Sequence, residues 1–201
     1  AYMPVGLLDV VYNGIDLDLY SAALSNSSKN IRAELNILHD APLIGSVGRI
    51  IERKGFQDYV EAAALVRRKI PQAYFILVGP EEDEKLSVTL KEKVLQHGMA
   101  DCFYFLGARQ DVPSILNELD LFVCTSRWEG HPLVCIEALA AGKAVVATEW
   151  GSACEALTDE KTALIVEQRN PGQIADAILR LISEPELKRR LGAEGRRDVE
   201  T

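Results

Sequence analysis

The stretch DLFVCTSRWEGHPLVCIEALAAGKAVVAT, residues 120–148, decides how the chain is read. It runs from a short apolar segment through a polar loop into an apolar segment of helical period, and ends in a second apolar run. Both runs are hydrophobic at nearly every position, as strands covered on both faces must be. Pro132 suits the first turn of the helix between them, and Gly142 falls where a left-handed C-terminal cap is expected. The unit is strand, crossover helix, parallel strand.

The same alternation extends from residue 43 to the end. Strands are predicted at LIGSV (43–47), AYFILV (73–78), CFYFL (102–106), DLFVCT (120–125), AVVAT (144–148) and ALIV (163–166). Helices fill the gaps at Phe56–Lys69, Glu82–His97, Val112–Glu118, Pro132–Ala141, Ser152–Leu157 and Pro171–Ser183, with a polar one from Glu184. Gly98 and Gly192 read as further caps, Asp111 as an N-cap and Pro171 as a first-turn residue. The predicted fold is α/β: a Rossmann-like, doubly wound parallel sheet with helices on both faces and ligands at the carboxyl ends of its strands. Before residue 43 the pattern changes to a strand near LDVVY, an Asn13-Gly14 turn and a polar loop leading into a short helix at SNSSKNIRAEL. Residues 1–42 therefore read as a linker or edge segment, and 43–201 as the domain.

Composition bounds the function. The chain has 201 residues, 48% hydrophobic and 26% charged, which is the profile of a globular domain. Its net charge of −8 argues against a general nucleic-acid binder. The longest nearly apolar stretch, Pro132 to Gly142, contains Glu137 and is well short of the roughly 20 residues a membrane-spanning helix needs. The opening AYMPVGLLDVV lacks a basic n-region and carries Asp9, so no signal peptide is expected. Cys102, Cys124, Cys135 and Cys154 have no close-pair spacing and read as reduced structural thiols of a cytoplasmic protein. His39, His97 and His131 have no ligand-like spacing, and no metal site is predicted.

Four segments could carry chemistry. In GSVGRIIERKG (45–55) a strand runs out into a loop bearing Arg49, Arg53 and Lys54, cations suited to a diphosphate or simply to solvent. It is neither a dinucleotide fingerprint, since no glycine-rich turn opens the helix, nor a Walker loop. In TSRWEGHPLVCIEALAAG (125–142) the helix start offers the backbone amides of Leu133 and Val134 to a phosphate, and Gly130 allows close approach. Glu137 lies within the apolar helix and needs a partner, which ligand hydroxyls or a nearby cation could supply. Glu129 and Glu137 can face one cleft and bind the hydroxyls of a polyol, although that spacing alone is a weak signal. GSACEAL (151–157) repeats the arrangement with Glu155, and FLGAR (105–109) ends a strand at Gly107, where exposed backbone could read the edge of a base.

Taken in order, VVYNGID (10–16), GRIIERKG, YFILVG, FYFLG, the 120–148 stretch, GSACEAL and ALIVEQRNPGQIADAIL resemble the carboxyl-terminal domain of retaining, nucleotide-sugar-dependent glycosyltransferases of the glycosyltransferase group 1 family. The resemblance covers nearly the whole chain and implies one half of a two-domain GT-B enzyme. It implies that Arg49 and Lys54 hold the donor diphosphate, helped by the backbone of Gly130, His131, Leu133 and Val134. Glu137 would accept hydrogen bonds from the ribose, Glu129 would lie beside the transferred sugar and Gly107 would line the base. With Glu129, Arg49 and Lys54 as the catalytic set, the implied reaction moves a sugar from a nucleoside diphosphate to an acceptor hydroxyl with retention, and requires no metal or other cofactor. The implied partners are the nucleotide-sugar donor and an amino-terminal acceptor domain, through which relatives reach lipid-linked acceptors at the cytoplasmic face of the membrane. A nucleotide-sugar epimerase or sugar-phosphate synthase on the same fold, or a non-catalytic nucleotide-sugar-binding domain, would share these motifs.

Overall fold

The alternating side chains of six apolar strands decide the architecture, seen in a computed structural model that describes residues 14–20, 30–130, 132–150 and 157–200. Among these residues β1 (Leu43–Val47), β2 (Tyr74–Val78), β3 (Phe103–Gly107), β4 (Leu121–Cys124), β5 (Ala144–Thr148) and β6 (Ala163–Val166) form one sheet. The order is β3-β2-β1-β4-β5-β6, and every pairing is parallel. Neighbouring residues along a strand point to opposite faces. Phe75, Leu77, Leu121 and Val123 accordingly join one buried cluster, while Ile76, Val78, Phe122 and Cys124 join another.

Helices cover these faces, among them α1 (Ile31–Glu34), α2 (Phe56–Lys69), α3 (Glu84–Gln96), α4 (Val112–Glu118), α5 (Leu133–Ala140), α6 (Pro171–Ser183) and α7 (Pro185–Val199). The first cluster takes its helical share from α2, α3, α6 and α7, for example Tyr59, Leu90, Ile178 and Leu191. The second takes it from α1, α4 and α5, through Ile31, Leu116 and Leu139. No described helix is long and apolar enough to cross a membrane.

The predicted elements agree with the observed ones to within two residues, apart from the segments below. Gly192 is not a cap: it lies inside α7, where an added Cβ would stand 2.3 Å from the Gly142 carbonyl oxygen. Its missing side chain permits helix-to-backbone contact, a reason for glycine that spacing does not distinguish from a cap. Asp111 occupies the N-cap position of α4 without capping it, because Arg109 holds both of its carboxylate oxygens at 2.9 Å. Pro132 is the N-cap residue of α5 and not part of its first turn. The expected strand at LDVVY and helix at 152–157 fall, Leu157 apart, outside the described residues.

Residues 30–42 are fastened to the sheet. Asn30 caps α1 through its side chain, and Ile31, Ile37 and Ala41 are buried. Arg32 donates to the Leu38 and Ala41 carbonyls and pairs with Asp120 at 2.8 Å, tying this segment to the residue before β4.

Candidate functional site

β1 and β4 are neighbours in the sheet, yet the chain leaves them in opposite directions, β1 toward β2 and β4 toward β5. This is the topological switch point, where loops part and leave a crevice at the strands' carboxyl ends. The loop after β1 contains a 3-10 turn at Glu52–Lys54 that ends in Gly55 with φ 65°. An added Cβ at Gly55 would lie 2.1 Å from the Thr125 carbonyl oxygen, so the loop after β1 presses directly on the loop after β4. Two further bonds stitch them: Thr125 Oγ1 donates to the Lys54 carbonyl at 2.9 Å, and the Arg127 amide donates to the Arg53 carbonyl at 2.8 Å.

This stitching brings a carboxylate and two cations together. Lys54 Nζ donates to Glu129 Oε1 at 2.6 Å, and Ser126 Oγ donates to the same oxygen at 2.6 Å. Arg53 reaches the other oxygen at 3.1 Å, with its guanidinium 5.7 Å over the exposed Trp128 ring. Lys54 and Glu129 are only 8% and 7% exposed. Burial opposes charge on Glu129, but hydrogen bonds from Lys54 and Ser126 and the charges of Lys54 and Arg53 outweigh it and hold the carboxyl below its usual range. Thr148 at the end of β5 fixes Ser126 from behind, donating to its carbonyl at 2.6 Å.

Beside this network α5 begins with no side-chain cap, so the amides of Leu133 and Val134 lie at an open helix start. The Gly130 Cβ position has no neighbour within 4 Å among the described residues. Partway along α5, Glu137 is half-buried; burial pushes its carboxyl up, and the influence of the Tyr20 hydroxyl only partly offsets this.

Residues 27–198 match the family model for glycosyl transferases group 1. The chain belongs to this family. It is 30% identical over 199 residues to alpha-maltose-1-phosphate synthase of Mycolicibacterium smegmatis, an overlap of 93% of this chain and 50% of the relative. The fold superposes on HepE of Anabaena in complex with UDP-glucose with a TM-score of 0.88 at 25% identity, covering 98% of this chain and 54% of HepE. It also superposes on the C-terminal domain of the group 1 protein LpcC from Francisella tularensis, with a TM-score of 0.77 at 30% identity, covering 92% of this chain and 96% of that domain. The chain spans about half the length of the curated relatives it matches. Its sheet is Rossmann-like, as in the GT-B glycosyltransferases it superposes on.

Within this glycosyltransferase domain the expected site residues divide. Lys54, Glu129 and Gly130 meet at the switch point, and Leu133, Val134 and Glu137 follow on α5. Arg49 does not join them: it is half-exposed and pairs with Glu82, from the loop after β2, at 3.1 Å. Gly107 ends β3 with φ 63° and open space over its Cβ position, so its backbone is approachable at a carboxyl end of the sheet. His131 and Glu155 lie outside the described residues.

Two members of the network, Arg53 and Ser126, are absent from the sequence-derived site. Ser126 had a readable signal: it is a hydroxyl just past the last strand residue and three positions before Glu129. Arg53 was readable only as one of three loop cations, because loop spacing does not say which of them turns inward. No group of three described His, Cys, Asp or Glu residues could hold a metal ion. Cys102, Cys124 and Cys135 are free and buried.

Proposed function

We propose that this chain is the donor-binding half of a retaining glycosyltransferase, taking a nucleoside diphosphate sugar at the carboxyl ends of β1 and β4. The observation that carries the reading is the buried Lys54–Glu129 pair beside the uncapped start of α5. Cations and free amides there suit a diphosphate, and carboxylates suit the hydroxyls on either side of it. The solved complexes of HepE with UDP and with UDP-glucose support the choice of ligand class.

In this reading Lys54, the α5 amides and Arg49 meet the negative charge that grows on the departing diphosphate. Arg49 reaches the ligand by leaving Glu82, a surface pair worth roughly 0.2–1 kcal/mol. Glu129, held as an anion by Lys54, Arg53 and Ser126, accepts hydrogen bonds from the sugar and sets it over the leaving group. Glu137 accepts from the ribose, and backbone near Gly107 faces the base. The bond from the anomeric carbon to the diphosphate oxygen breaks, and the acceptor oxygen takes its place on the same face. The acceptor hydroxyl's proton leaves with the diphosphate. These side chains supply the electrostatic stabilisation without a cofactor, and an amino-terminal half supplies acceptor choice and contact with the cytoplasmic face of a membrane.

The test is transfer by a protein that joins this chain to its acceptor half, assayed with UDP-, GDP- and ADP-sugars and with product configuration read by NMR. A retained anomeric centre and a loss of turnover of about 100-fold in Glu129→Gln are expected. An inverted product, or full activity in Glu129→Gln, contradicts the proposal.

A further inference from the structure

Three loops at the carboxyl ends of the sheet meet on one side-chain amide. Gln168 lies two residues past β6, and its Nε2 donates to the Arg127 carbonyl, in the loop after β4, at 2.9 Å. The same nitrogen donates to the carbonyl of Glu149, one residue past β5. A primary amide nitrogen carries two hydrogens, so this one side chain serves both acceptors at once. The loop that presents Gln168 is itself braced. The Glu167 amide donates to Gln173 Oε1 at 3.0 Å, and Asn170 caps α6 while its Nδ2 donates to Glu167 at 3.1 Å. Arg169, next in the chain, has φ 55°, a left-handed conformation that persists in an L residue only where its surroundings hold it.

Arg127 lies two positions before Glu129, and its backbone is held from both sides. Its amide donates to the Arg53 carbonyl of the loop after β1 at 2.8 Å, and its carbonyl accepts from Gln168. Its guanidinium donates to Glu52 at 2.6 Å. Without the Gln168 amide, the Arg127 and Glu149 carbonyls would face one gap with no hydrogen between them, and their loops would part. We propose that Gln168 is a positioning residue for the donor sugar: by tying the Arg127 carbonyl to the Glu149 carbonyl it fixes the loop from which Glu129 meets that sugar. The proposal rests on the donor-site reading above. It extends the site from the switch point to the end of β6, and Gln168 acts there only through Glu129. A displacement of about 1 Å in such a loop is enough to spoil the contact it presents.

Gln168→Leu keeps the bulk of the side chain and removes both donors. Calorimetry on the 201-residue chain first finds which of UDP, GDP and ADP binds, then compares that nucleotide with its glucose, mannose and N-acetylglucosamine conjugates. The readout is the ratio of affinities, conjugate over bare nucleotide, because Glu129 meets the sugar alone. Gln168→Leu is expected to lower that ratio about tenfold while leaving the bare nucleotide within about twofold. Gln168→Lys, whose ammonium again donates to both carbonyls, should restore the ratio. Gln168→Asn places its amide one methylene short of them; it should behave as Gln168→Leu does, and it replaces that variant if the latter fails to fold. Equal losses for nucleotide and conjugate, no loss for either, or a loss that Gln168→Lys does not reverse overturn the proposal while leaving the donor site standing. If the unaltered chain binds no nucleotide, or none of the conjugates, the donor-site reading itself falls and this proposal with it.

Discussion

Lys54 Nζ lies 2.6 Å from Glu129 Oε1, joining loops that leave adjacent strands β1 and β4 at the point where the sheet's winding reverses. The side chains are 10% and 7% exposed, so neither charge is well hydrated. Removing one partner from such a pair strands the other, at about 3 kcal/mol. Glu129→Gln is therefore expected to lower the unfolding free energy by about that amount. Urea denaturation checks it, and a change within error would show that the pair is idle.

Glu137 carries the opposite expectation. Folding raises the pKa of this carboxyl, chiefly by burial, so its ionised form costs stability. That cost is absent below the unfolded carboxylate range, appears as pH rises through it and is complete above the folded value. Glu137→Gln should therefore stabilise the chain by about 0.5–2 kcal/mol at neutral pH, and the gain should vanish in acid. For Glu129 the folded pKa is depressed. Its contribution is present above the unfolded range and is lost as pH falls through the folded value, so Glu129→Gln should matter least in acid. Melting curves of both variants across pH should diverge at neutrality and converge in acid.

Gly55 has φ 65° and no room for a Cβ beside the Thr125 carbonyl. An alanine there must strain the backbone and push the two loops apart, at about 2–4 kcal/mol in all. Gly55→Ala is thus expected to lower the melting temperature and to weaken nucleotide binding, because Lys54 immediately precedes the displaced residue. Unchanged affinity in a folded Gly55→Ala protein would detach the loop junction from the site.

Arg49 and Glu82 form a surface pair whose side chains are 52% and 44% exposed. Glu82→Gln should leave stability within about 0.5 kcal/mol, while freeing Arg49 to strengthen nucleoside diphosphate binding about two- to fivefold. Weaker binding would mean that Glu82 serves the ligand in some other way.

The extent to which these features could be read from the chain follows from the range of the interactions involved. The strands were legible because burial on both faces writes itself as an uninterrupted apolar run, as in FILV of β2 and FVC of β4. The family motif placed Glu129 and Glu137 because their spacing is local to one loop and one helix. The β1 loop was legible only as a set of cations: the 3-10 turn and the contact of Gly55 with Thr125 choose Arg53 and Lys54 over Arg49, and that contact is tertiary. Gly192 misled because a glycine needed for close packing and one needed for a left-handed turn look alike in sequence.

The central claim is that the switch-point network binds a nucleoside diphosphate. Titration calorimetry of the 201-residue chain with UDP, GDP and ADP, repeated with Lys54→Met and with EDTA present, tests it most directly. The account predicts saturable binding of at least one nucleotide, a loss of at least about tenfold in Lys54→Met, and no effect of EDTA. Binding to none of the three, or binding indifferent to Lys54→Met, would contradict it.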